Sequence, residues 1–178
     1  MSKTILLLST FGTYAAATSV AGFAVEQDTK VSGATPTKIT YKFIPTAATP
    51  LVEGEKFVII HKGEHRYTAG TVLCTPYSSC GSGGTGSCGD LTCVAVVDPS
   101  STMSKLDCVL GAGKTSGLGT TAAIQAGIEN QVICTTGIKA NGAAGVQQVS
   151  ITTDKDTAAS TYLGLTYSQN PLTPKCRK

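Results

Sequence analysis

The chain is short of the residues that most active sites and most helices draw on. Tryptophan is absent, histidine and methionine occur twice each, and only 14% of the 178 residues are charged, against about 25% in an ordinary globular domain. The formal net charge is +3, with no lysine–arginine cluster and no aromatics interleaved with basic residues. That leaves no footprint for a nucleic-acid partner. None of Asn130, Asn141 and Asn170 stands in an N-x-[ST] sequon, so N-glycosylation is not expected. Abundant Ser and Thr leave O-glycosylation open. Beyond the first two dozen residues, no useful length keeps the 3.6-residue apolar period of a helix.

What is present begins with a leader. Lys3 precedes an apolar stretch that runs from Ile5-Leu6-Leu7-Leu8 to about Ala24, and small residues offer cut sites at Val20-Ala21-Gly22 or Gly22-Phe23-Ala24. This is the layout of a secretory signal peptide. The alternative is a retained anchor or N-terminal helix, which is the one route to a membrane. The expected division is a leader over 1–24, one domain over 25–168 and a tail over 169–178.

All seven cysteines lie beyond the leader: Cys74, Cys80, Cys88, Cys93, Cys108, Cys134 and Cys176. Exported thiols meet an oxidising compartment, so disulfides and a secreted, cell-surface location are the expectation. No C-x-x-C pair suggests zinc or thioredoxin chemistry. Spacing does not fix connectivity. The pairings put forward are Cys93–Cys108 across neighbouring strands, Cys80–Cys88 within a loop and Cys74–Cys134 in the body. Cys176 is then left over, as a free thiol or an intermolecular partner.

The rest reads as strands. Ile39, Tyr41 and Phe43 alternate with Thr40 and Lys42, and Phe57-Val58-Ile59-Ile60 is a continuous run that would be buried on both faces. Further strands are expected over Tyr67–Cys74, Leu91–Val97, Lys105–Leu110, Ala122–Ile128 (or a short helix there), Gln131–Ile138, Val146–Thr153 and Tyr162–Tyr167. Residues 75–90 are nearly all turn formers and read as a loop. About nine strands with regular turn signals predict an all-β sandwich or barrel.

The segment Thr37-Lys-Ile-Thr-Tyr-Lys-Phe-Ile-Pro-Thr46, leading to Leu51-Val-Glu-Gly-Glu-Lys-Phe-Val-Ile59, resembles the opening of immunoglobulin-like domains in large surface proteins of microbes and algae. Thr92-Cys93 and Asp107-Cys108 look like two facing strands of such a domain. Ala126-Gly127-Ile128-Glu129-Asn130 is similar to the family's "Gly-Val-x-Asn-Pro" corner, with Gln131 in place of Pro. Val149-Ser-Ile-Thr-Thr-Asp154 is similar to its closing strand. The resemblance covers roughly residues 30–165. It implies an immunoglobulin-like β-sandwich with a structural, adhesive or spacer role and no catalytic residues.

Three motifs suggest chemistry and are each weak. Gly111-Ala-Gly-Lys-Thr115 lacks the first glycine of a P-loop, because Cys108 stands there; a polar loop is expected. His61-Lys-Gly-Glu-His65 matches H-x-x-E-H, but Gly63 interrupts any helix, and a hairpin turn is expected. Asp154-Lys-Asp156 has alternate carboxylates, but Ala158 sits where a third oxygen ligand belongs; a solvated turn is expected. His61, His65, Asp154 and Asp156 are therefore only weak metal candidates, and no cofactor is implied. The expectation is a non-enzymatic structural or adhesive surface protein that assembles into a filament or coat, by self-association or with other extracellular proteins. The alternatives are a binding module using the Cys80–Cys88 loop and a small metal-dependent hydrolase. The last would need His61 and His65 together beside a carboxylate.

Overall fold

Alternation of inward apolar and outward polar side chains sets the face of most strands. In the computed structural model, which describes residues 17–77, 89–116, 119–121, 124–143 and 145–169, the strands are β1 (Ala21–Gln27), β2 (Ile39–Ile44), β3 (Lys56–Lys62), β4 (Gly70–Val72), β5 (Cys74–Tyr77), β6 (Gly89–Asp98), β7 (Met103–Ser116), β8 (Gly119–Thr121), β9 (Asn130–Cys134), β10 (Gly145–Thr153) and β11 (Leu163–Tyr167). There is no helix among the described residues. One sheet has the order β1-β2-β9-β5. The other has the order β11-β10-β3-β7-β6-β4, with β8 paired to β7. Neighbouring strands are antiparallel throughout.

The two sheets share one core. Ile39, Tyr41, Phe43, Cys74, Val132 and Cys134 come from the four-stranded sheet. Phe57, Ile59, Cys93, Leu106, Cys108 and Ile151 are among those from the larger one. The Phe43 and Phe57 rings meet with centroids 5.5 Å apart. Within the apolar run of β3, Phe57 and Ile59 are buried, while Val58 and Ile60 are half-buried on the outer face. The run is thus one-sided rather than buried on both faces.

Several boundaries differ from expectation. β1 begins at Ala21, and Val20 is already in the core. The cut sites expected around Val20–Ala24 thus coincide with the start of a strand, since small apolar residues suit a leader and an edge strand equally. The stretch Tyr67–Cys74 breaks at exposed Leu73 into β4 and β5, which belong to different sheets. Gly111–Thr115 is not a loop but the far part of β7, where Lys114 pairs with Thr121. Ala122 and Ala123 lie outside the described residues, and neither strand nor helix covers 124–128. Ile124 there makes a single bridge to Leu51, and Gly127 turns the chain with φ +70°.

Candidate functional site

The densest chemistry lies inside the core, where β3 ends. His61 continues the inward series Phe57, Ile59, His61. Gly63 then turns the chain with φ +91°. That left-handed conformation favours glycine. The turn brings Glu64 and Arg66 back beneath the sheet, where both are buried.

Arg66 is the largest fully buried side chain. Its Nη1 donates to Gln27 Oε1 at 3.1 Å and to Asn141 Oδ1 at 2.8 Å. Its Nη2 donates to the carbonyls of Lys139 and Ala140, both at 3.3 Å, and lies 3.4 Å from Glu64 Oε2. Glu64 also accepts from the Tyr167 hydroxyl at 2.6 Å and from Gly142 N at 3.2 Å. A Cβ on Gly142 would sit 3.2 Å from that same carboxylate oxygen. On the other side, the Tyr41 hydroxyl bonds His61 Nε2 at 2.8 Å and the Tyr67 hydroxyl at 2.7 Å. His61 Nδ1 is 3.6 Å from Glu64 Oε1, beyond hydrogen-bond range. That atom, Arg66 Nε and Gln27 Nε2 have no protein hydrogen-bond partner.

Burial governs the titration of this cluster. It holds His61 below its ordinary value, outweighing the nearby Glu64. Burial also pushes Glu64 up, but His61, Arg66 and Tyr167 together outweigh it and leave the carboxyl below its usual range. Tyr41, Tyr67 and Tyr167 are all raised, chiefly by burial. The cluster is thus a guanidinium–carboxylate pair beside a neutral imidazole. A general acid or base has to reach its substrate. His61, Arg66, Tyr41 and Tyr67 have no exposed surface, and Tyr167 has 2%. The network links β2 to β3 through Tyr41 and His61, and β1 to the loop after β3 through Gln27 and Arg66.

The remaining candidates are put to structural use. His65 bonds the Ser101 carbonyl through Nε2 and so does not join His61. Asp154 accepts from Lys56 N at 3.0 Å. Asp156 is buried rather than solvated; it accepts from Thr46 N at 3.0 Å and Thr46 Oγ1 at 2.6 Å. It pins the Pro45-Thr46 turn to the end of β10. Among the described residues, the group of metal-type ligands that converges is Cys74, Cys93 and Cys108, and none of these four residues belongs to it. Those sulfurs are already spent: Cys74 is bonded to Cys134 and Cys93 to Cys108. Cys80, Cys88 and Cys176 lie outside the described residues.

A groove of about 360 Å³ runs beside β1, lined by Val20–Phe23 and Ser160–Leu163. It carries no carboxylate, imidazole or thiol and shares no residue with the ionisable cluster. The alternating pattern places Tyr41 in the core; the turn expected over His61–His65 begins only at Gly63, with His61 still in β3, and no local pattern joins Glu64, Arg66, Tyr67 and Tyr167 into one network. The available signal was weak: an aromatic next to an arginine, just after a glycine turn. No family model, curated protein or solved structure matches this chain.

Proposed function

We propose that the protein is a secreted structural or adhesive component of a cell surface, built as an immunoglobulin-like β-sandwich and able to assemble with copies of itself. The observation that carries this reading is the pair of buried disulfides, one in each sheet. Such bonds persist in oxidising compartments. The residues behind the family resemblance also support it, because they act as turn hardware. Gly54 turns with φ +86° and donates to the Leu110 carbonyl at 2.8 Å. Asn130 closes its corner by donating to the carbonyls of Gln125 and Ile128, both at 2.9 Å. The densest ionisable cluster serves packing. Among the described residues, β1, β5, β11 and β4 are the outer strands of the two sheets, the positions at which strand addition works.

Sedimentation of the oxidised protein over a wide concentration range tests assembly, and hydrogen exchange locates it. Association with new protection on an edge strand or terminal segment is expected. A monodisperse monomer at high concentration sinks the assembly reading. Intact mass of native material before and after reduction tests export, through the disulfide count and the processed N-terminus.

A further inference from the structure

The two disulfides clip different sheets. Cys74–Cys134 joins β5 to β9, and Cys93–Cys108 joins β6 to β7. All four cysteines are buried. Yet Sγ of Cys74, Cys93 and Cys108 all lie within 4.8 Å of one another, close to van der Waals contact. The bonds therefore face each other across the core. To turn that gap into a bond of about 2.05 Å, each sulfur need move only about 1.4 Å, within the reach of side-chain rotation.

We propose that this sulfur cluster is a thiol–disulfide exchange centre that converts a within-sheet bond into a bond between the sheets. The inference goes beyond the surface role and holds whether or not the protein assembles. A small dithiol opens Cys74–Cys134, giving up two electrons and leaving as its own disulfide. Cys74 is the point of entry, because β5 is an edge strand and Cys74 keeps 4% exposure while the other three keep none. The Cys74 sulfur, as thiolate, then attacks Sγ of Cys93 or Cys108. A Cys74–Cys93 bond forms as Cys93–Cys108 breaks. The electron pair leaves on Cys108, which takes up the proton that Cys74 lost. Attack on Cys108 releases Cys93 in the same way. This second step needs no further oxidant or reductant. Exchange proceeds through the thiolate, and apolar burial disfavours that form, so the step is slow and quickens with pH.

Cys134→Ser leaves Cys74 without its partner and tests the step directly. The variant is folded oxidatively, incubated at mildly alkaline pH, alkylated and digested, and its linked peptides are identified by mass spectrometry. A Cys74–Cys93 or Cys74–Cys108 peptide is expected, with matching loss of the Cys93–Cys108 peptide. Cys93→Ser is the reciprocal variant and should yield Cys108 joined to Cys74. Wild-type protein, briefly exposed to limiting dithiol under native conditions, should give the same cross-sheet peptide even if either variant folds poorly. The inference fails if Cys93–Cys108 stays intact with Cys74 alkylated. It fails equally if new links fall indiscriminately on Cys80, Cys88 and Cys176, since that marks scrambling of an unfolded chain.

Discussion

Two parts of one interior are held in opposite ways. Around the cysteines, covalent bonds join strands that are already hydrogen-bonded neighbours: Cys93 stands opposite Cys108, and Cys74 opposite Cys134. Around Arg66, no covalent bond exists, yet the contacts run between sheets. Tyr41 of β2 meets His61 of β3, and Gln27 of β1 meets Arg66 in the loop that follows β3. The disulfides restrict the unfolded chain without adding any native tie from sheet to sheet. Beyond the shared apolar core, that tie includes charges and hydroxyls, and so its polar part answers to protons.

The largest expected effect breaks the polar part. Arg66→Met leaves the Glu64 carboxylate buried without its cation, and a loss of about 3–5 kcal/mol is expected in denaturant unfolding at neutral pH. A neutral result would mean that the cluster holds little. Next come the sulfurs. The bonds close separations of 60 and 15 residues, so chain entropy predicts about 4 kcal/mol for Cys74→Ala/Cys134→Ala and about 3 for Cys93→Ala/Cys108→Ala. Equal losses would show that loop closure does not govern them. Tyr41→Phe removes the hydroxyl between His61 and Tyr67, and about 1–3 kcal/mol should go with it.

The smallest effect is the sharpest discriminator. The folded protein holds His61 below its unfolded value of about 6.5. Its contribution is therefore complete above that pH and is lost as pH falls from there through the folded value. Glu64 is also lowered, so its contribution is present above about 4.3 and is lost on further acidification. The three raised tyrosines act at the other end: their contribution is complete below about 10 and is lost as pH climbs through the folded values. A stability profile with acid and alkaline shoulders is expected. His61→Gln should flatten the shoulder just below 6.5, whereas removing either disulfide should lower the whole curve without reshaping it.

The sequence made the sheets legible where the period of two was uninterrupted. Ile39, Tyr41 and Phe43 are all fully buried, as their alternation required. Cys93–Cys108 and Cys74–Cys134 are among the pairings that the sequence suggests, but only the folded register shows them opposed. β1 was hidden because its Ala and Gly residues read as the end of a leader. The polar cluster was hidden for a different reason. Arg66 and Glu64 have the composition of a solvated turn, and their burial depends on Gln27, Asn141 and Tyr167, which are remote in sequence. Asp156 misled in the same way: its partner Thr46 stands 110 residues away.

β1 imposes an order of events. The peptide bonds around Ala21–Ala24 belong to a strand paired with β2, and Val20 is inside. A protease needs its target extended and unpaired. Any trimming at those bonds must therefore happen on the nascent chain, ahead of sheet closure, and a strand docked first would shield them.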